Sequence, residues 1–287
     1  MPLTDLELTR LIGAPVASRR PWPYRSSLPM EVLEVPGNDP ERLLLKDLSA
    51  SASVARATFT VDPLREVLAY REVLPHLNLD TPRHVASLVE RERTVLVIEL
   101  VDGYPLWQAD GLAAWEEAAR WLARLHAVQP IASGLVSYDT AELRRRVEMA
   151  AWLPGIEHLA ARAAERLGRL PASLVHGEFY PSNVLVQDSR TGPRIRPVDW
   201  ETIGIGPGAL DLAALTAGWE DEERRRIVDA YRSACAANRR PDDVDISLAR
   251  LVLAAQWSGS SGTWSPPREQ RRDWHAEVMR LAGSISL

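Results

Sequence analysis

Apolar and acidic positions alternate over residues 30–35, the period-two signature of a half-buried strand. The turn Pro36-Gly37-Asn38-Asp39-Pro40 breaks it, and Leu43-Leu44-Leu45-Lys46 reads as the partner strand. Asp62-Pro63 places an N-cap acid ahead of a proline at the first helical position. The helix it starts is expected to turn Leu64, Val67, Leu68 and Leu74 inward and to stop before Pro75. Residues 94–100 are β-branched and apolar, a buried strand that Asp102-Gly103 ends. Beyond that point the period changes. Trp115, Ala119, Leu122 and Leu125 recur at helical spacing within residues 112–127. Further helices are predicted at 140–152 and 155–167, then at 209–216, 221–237, 246–257 and 268–282. The chain therefore divides into a strand-rich lobe, 1–101, and an α-rich lobe, 102–287, in the α+β class.

Composition narrows the function classes. A chain of 287 residues with 46% hydrophobic content can bury a proper core. A formal net charge of −5 lacks the basic excess of a nucleic-acid binder. Cys235 is the single cysteine, so no internal disulfide forms, and its helical setting reads as a packed, inert thiol. The N-terminus has neither a basic start nor an apolar core. No apolar run approaches the roughly 20 residues that span a bilayer. The expectation is a cytoplasmic protein, monomer or homodimer, with no nucleic-acid or membrane partner.

The chemistry concentrates in His176-Gly177-Glu178-Phe179-Tyr180-Pro181-Ser182-Asn183 and in Asp199. An acid and an amide share one tight loop. The apolar strand Val184-Leu185-Val186 leaves that loop, the turn Asp188-Ser189-Arg190-Thr191-Gly192 reverses the chain, and a strand over 195–198 returns Asp199 to the same end. Phosphoryl transfer needs such parts: a carboxylate to orient the attacking hydroxyl, and oxygen ligands for magnesium. Asn183 and Asp199 are the candidate metal ligands and Glu178 the candidate catalytic carboxylate. Glu201 is a further oxygen within reach of a second metal. No histidine shows metal-ligand spacing, and His126 reads as a satisfied packing residue.

These segments, with Val198-Asp199-Trp200-Glu201 and Gly206…Asp211-Leu212-Ala213, resemble the aminoglycoside phosphotransferase and choline kinase-like family, small-molecule relatives of protein kinases. The resemblance implies a bilobal protein kinase-like fold and an ATP-dependent phosphotransferase that uses Mg2+. One departure matters: Glu178 stands where the family carries its catalytic Asp. The resemblance makes Lys46 the lysine that contacts the ATP phosphates, with Glu66 as its carboxylate partner and Glu72 as the competing one. It makes Ile98, Glu99 and Val101 the hinge, with the backbone of Glu99 and Val101 at the adenine, and puts Leu185 and Val198 beneath the purine. It implies that His176 fixes the loop through the backbone and that Asp211 caps its helix or ties the loop down. No glycine-rich loop precedes Lys46; Ser26 and Ser27 are the candidates to cover the phosphates, and a plain surface turn is the alternative.

Only a short segment separates Asp199 from Asp211, which leaves no room for a peptide-binding activation segment. A small acceptor is expected, an amino sugar, aminoglycoside-like compound or amino alcohol. Trp219, Trp257, Trp264 and Trp274 with Glu220, Asp221, Asp242, Asp243 and Asp245 suit a cationic one, unless the tryptophans are core and the acids solvated helix ends. Two other functions stay open. One is a nucleotide-binding pseudokinase with weak or no phosphotransfer, suggested by Glu178 and the missing glycine loop. The other is a transferase of nucleotidyl groups.

Overall fold

A computed structural model describes residues 3–23, 28–49, 62–129, 134–260 and 273–285. The N-terminal part begins with a short helix, α1 (Asp5–Ile12), closed at its start by a reciprocal Thr4–Glu7 capping box. Strands β1 (Ser18–Pro21), β2 (Met30–Glu34) and β3 (Arg42–Asp47) follow, then helix α2 (Pro63–Leu68) and strands β4 (His84–Val89) and β5 (Thr94–Glu99). They form one antiparallel sheet in the order β1-β2-β3-β5-β4. Leu33, Leu43, Leu45, Val95 and Val97 bury one face with Leu8 of α1. Leu96 and Ile98 bury the other against Val67, Tyr70 and Leu74.

The helix after Asp62 differs from its pattern. The Asp62 carboxylate accepts the Leu64 N–H, so the start lies where the sequence places it. Leu64, however, is exposed, and Leu68 is only partly buried. The buried stripe is Glu66, Val67, Ala69, Tyr70, Val73 and Leu74. The helix widens into a π-helical turn, Ala69–Val73, before a 3-10 turn ends it at Leu74–His76. That widening breaks the 3.6 period and presents Tyr70 beside Glu66.

The second part is mostly helical. It comprises β6 (Tyr104–Pro105), α3 (Ala113–His126), β7 (Val136–Ser137), α4 (Thr140–Glu148), α5 (Ile156–Leu167), β8 (Ala172–Val175), β9 (Val184–Gln187), β10 (Arg194–Pro197), β11 (Gly204–Pro207), α6 (Ala209–Leu215), α7 (Asp221–Ala234), α8 (Asp243–Ser260) and α9 (Trp274–Ser284). Strands order as β10-β9-β6 and β7-β11-β8. Helix α3 packs on α7, α4 on α5, and α8 on both α6 and α9. All four tryptophan, alanine and leucine positions that predict α3 are buried. The segment between Asp199 and Asp211 is spent on β11 and the first turn of α6. Where the two parts join, a Cβ on Gly103 would lie 2.6 Å from the Val186 carbonyl oxygen, so only glycine lets the connector pass this close to β9. Cys235 is buried, and burial pushes its thiol up, as an inert packed cysteine requires. No helix among the described residues is long and apolar enough to cross a membrane.

Candidate active site

Strand β8 delivers the chain to His176, and Gly177 turns it with φ 87°. A Cβ there would fall 2.1 Å from the Tyr138 hydroxyl and 2.6 Å from the Thr202 carbonyl oxygen, so the position admits glycine alone. Asp211, in the first turn of α6, accepts the backbone N–H groups of His176 at 2.7 Å and Gly177 at 2.8 Å. It ties the loop down. His126 on α3 is a buried histidine with both ring nitrogens satisfied, as expected: its Nε2 lies 3.2 Å from Asp211 Oδ2 and its Nδ1 2.7 Å from the Tyr231 hydroxyl. The His176 ring donates from Nε2 to the Val198 carbonyl at 3.0 Å, and its Nδ1 accepts the Glu178 N–H at 3.3 Å. The second bond requires the neutral imidazole, with its proton on Nε2. Burial pushes the His176 pKa down and keeps it neutral.

The hairpin β9–β10 pairs Val184 with Pro197 and Leu185 with Arg196. The Val198 N–H then donates to the Asn183 carbonyl at 2.8 Å, which closes the two arms beside the loop. Asn183 Nδ2 donates to the Glu178 carbonyl at 3.1 Å. Asp199 has φ 66°, the one positive value at a non-glycine among the described residues. This left-handed backbone costs energy for most L-residues and turns the carboxylate toward the N-terminal sheet. There Lys46 of β3 places its Nζ 2.9 Å from Asp199 Oδ1 and 2.6 Å from Glu66 Oε1. Burial disfavours the Lys46 charge, but Asp199 and Glu66 outweigh it and hold the ammonium well above the usual lysine range. Glu72 pairs with its neighbour Arg71 at the surface instead.

Carboxylate oxygens of Glu178, Asp199 and Glu201 all lie within 4.8 Å of one another, an all-oxygen set of the kind magnesium takes. The longer side chain at 178 thus reaches into the Asp199 cluster. Of the oxygens the sequence offers, the geometry sets Glu178 and Glu201 beside Asp199.

Ile98, within β5, is buried. The Glu99 N–H is taken by the Arg83 carbonyl at 2.9 Å, so this amide does not face a ligand. Its side chain is held by Arg196, and Arg196 pulls the Glu99 carboxyl below its usual range although burial opposes. Val101 is buried, and Leu185 and Val198 are half-buried on the hairpin. Ser26 and Ser27 lie outside the described residues, as does Trp264.

The C-terminal helices line an open cleft of about 360 Å³ whose walls include Trp219, Glu220, Asp221 and Trp274. Trp274 stacks on Trp257 with ring centroids 6.3 Å apart, and Trp257 Nε1 donates to the Tyr180 hydroxyl of the catalytic loop at 2.7 Å. The other three acids expected here are elsewhere. Asp242 and Asp245 pair with Arg166, and Asp243 pairs with Arg232. The cleft holds arginines in their place, Arg224, Arg250 and Arg280. Helical periodicity could have flagged Arg250, a charge on the face of α8 that also carries Leu253 and Trp257.

Residues 32–242 match the phosphotransferase enzyme family, described as APH, and the chain belongs to that family. A viomycin phosphotransferase from Streptomyces vinaceus is 37% identical over 67 residues, a stretch that is 23% of each chain. Among solved structures, a choline kinase from Streptococcus pneumoniae superposes with a TM-score of 0.65 at 16% identity, covering 94% of this chain and 93% of its own. A macrolide 2'-phosphotransferase from Brachybacterium faecium gives 0.63 at 17% identity, covering 92% and 98%. The fold is that of the kinase-like phosphotransferases, as the loop and hairpin motifs predict.

Proposed function

We propose that this protein transfers the γ-phosphoryl group of ATP to a hydroxyl of a small molecule. The observation that carries the reading is Lys46 held between Glu66 and Asp199, with the carboxylates of Glu178 and Glu201 converging on the same Asp199. Residues 1–101 then form the nucleotide-binding lobe. Residues 102–287 supply the loop, the hairpin and the acceptor pocket. Ile98, Val101, Leu185 and Val198 give an apolar slot for adenine, with the Val101 backbone at its edge. The Lys46 ammonium, fixed by two carboxylates, donates to the α- and β-phosphates. Asp199, Glu201 and the side-chain amide oxygen of Asn183 would hold magnesium, which neutralises phosphate charge. Glu178 accepts the proton of the acceptor hydroxyl as that oxygen bonds to the γ-phosphorus and the bond to the β-phosphate oxygen breaks, releasing ADP. A loose transition state asks little early deprotonation, so the main work of Glu178 is orientation, and a glutamate suffices for it.

A small acceptor is favoured because the segment after Asp199 is folded into β11 and offers no peptide platform. The relatives named above act on choline, macrolides and viomycin by their names, so amino alcohols, amino sugars and macrolides are the first acceptors to screen. ADP release should appear with at least one of them in the presence of Mg-ATP and vanish in Lys46→Ala. Absence of both Mg-ATP binding and ADP release across that library would overturn the reading.

A further inference from the structure

Helix α2 and the segment 199–201 lie far apart in the chain, yet two neighbouring residues of α2 reach that segment by separate routes. Glu66 meets it through Lys46, whose Nζ bonds both Glu66 Oε1 and Asp199 Oδ1. Arg65 meets it directly. Its Nη1 donates to the Glu201 carbonyl at 3.1 Å, and its Nε donates to the Gly134 carbonyl at 3.4 Å. Leu68, on the next turn of α2, packs on the same loop: a Cβ on Gly134 would lie 3.3 Å from it.

Among the described residues Arg65 pairs with no carboxylate, and both of its hydrogen bonds end on backbone carbonyls. A guanidinium is a permanent cation with only donors, so its bond to a carbonyl is charge-assisted. Glu201 is 5% exposed, which leaves little water to replace that bond. The residue works in two directions. Its carboxylate joins those of Glu178 and Asp199 within 4.8 Å, while its carbonyl accepts Arg65. Three carboxylates this close repel one another, so their convergence needs the backbone beneath them to be fixed. Thr202 is fixed from the other side. Its Oγ1 donates to the His176 carbonyl at 2.9 Å, and its own carbonyl accepts the Tyr138 hydroxyl at 2.8 Å. Arg65 supplies the matching hold on Glu201.

We propose that Arg65 is a positioning residue for the metal: by holding the Glu201 main chain from α2 it keeps the Glu201 carboxylate on the Asp199 cluster. It acts through Glu201, so its loss weakens the metal-bound complex and spares the nucleotide contacts. This rests on the kinase reading and adds to it a residue that lies outside the loop and hairpin motifs.

ADP is titrated calorimetrically into the protein twice, once with excess Mg2+ and once in EDTA. Arg65→Met is expected to weaken binding in Mg2+ roughly 10-fold, the low end of what a residue orienting a metal ligand contributes, with binding in EDTA unchanged. Arg65→Lys, which keeps a charged donor on a long stem, should recover most of the loss. Arg71→Met is the control. Arg71 pairs with Glu72 at the surface, so its loss should leave both titrations as in the parent protein. An arginine that only supports the fold would weaken the two titrations alike. The proposal is overturned if Arg65→Met binds ADP in Mg2+ as tightly as the parent, if its binding in EDTA weakens by the same factor, or if Arg71→Met loses as much. Failure of the parent protein to bind ADP in either buffer would instead count against the kinase reading.

Discussion

Arg196 on β10 grips Glu99 at the end of β5 with both terminal guanidinium nitrogens, at 2.7 and 3.2 Å. The same guanidinium donates to the Thr81 carbonyl at 2.8 Å and to Gln187 Oε1 at 3.1 Å. One side chain therefore fastens the hinge end of the N-terminal sheet to the hairpin that carries Asp199. At side-chain exposures of 7% and 16%, removing Arg196 leaves the Glu99 carboxylate with Arg83 alone, its N–H at 3.1 Å and its guanidinium at 3.6 Å, in a poorly solvated place. Arg196→Ala should lower the unfolding free energy by about 3–5 kcal/mol, the usual penalty for breaking a buried pair. Urea titration measures it, and a loss under about 1 kcal/mol would show that the contact is only a surface-type pair. Because Arg196 lowers the Glu99 pKa, the contribution is present above the ordinary carboxyl range and is lost as pH falls through the native value.

Lys46 and Asp199 govern nucleotide binding in the proposed mechanism. Mg-ATP should raise the melting temperature of the parent protein by binding its native state. Lys46→Ala and Asp199→Ala should each shrink that rise, since one removes a phosphate donor and the other a metal ligand. Thermal shift at fixed Mg-ATP makes the comparison. Equal shifts in all three proteins would place the nucleotide elsewhere.

Glu178 is the residue whose identity departs from its family. Glu178→Ala should cut acceptor turnover by roughly 10²–10⁴-fold, the scale of a positioned acid–base group. ATP affinity should change less, because Lys46, Asn183 and Asp199 remain. Glu178→Asp separates two histories. A loop adapted to the longer side chain loses activity, since the shorter carboxylate falls short of the hydroxyl and of the cluster at Asp199. Restored or raised activity would mark Glu178 as a lesion, and unchanged turnover in Glu178→Ala would remove it from catalysis.

The catalytic loop should carry its own acid limit. His176 titrates below the ordinary imidazole value of about 6.5 because it is buried. With the folded pKa depressed, the unfolded chain takes up the proton first, so stability falls as pH drops below the unfolded value. Once the native ring protonates, Nδ1 can no longer accept the Glu178 N–H. His176→Gln should flatten this part of the stability-versus-pH curve while lowering stability at neutral pH. Denaturant midpoints measured across pH 5–8 decide it, and a curve identical to that of the parent protein would rule out His176 as the source.

Much of the site was legible because its parts are local. His176 to Asn183, the hairpin turn and Asp199 are contiguous, and hairpin topology alone brings the ends together. Asp62-Pro63 announced α2 by cap chemistry that needs no tertiary contact. What escaped depends on partners distant in sequence. Nothing near Asp242, Asp243 or Asp245 says that Arg166 and Arg232 neutralise them. Strand β11 hides in Gly204-Ile205-Gly206-Pro207, a poor strand sequence. Its glycines are there because a Cβ on Gly204 or Gly206 would strike the Tyr138 side chain at 2.4–2.5 Å. Leu64 follows the apolar pattern yet faces solvent in the first turn of α2, where the buried stripe begins only at Glu66 and Val67.

The backbone at Asp199 also sets how this active site can drift. Glu178 has no positive φ to satisfy, so a carboxylate of either length fits its main chain and the sequence was free to lengthen it. Position 199 has no such latitude. Its φ of 66° favours glycine, asparagine and aspartate, and of these aspartate alone brings a negative charge to Lys46. Two unrelated demands, one steric and one electrostatic, therefore select a single amino acid at 199. The two acids that converge here are consequently unequal: the main chain at 178 accepts either acid, whereas the main chain at 199 favours the shorter one.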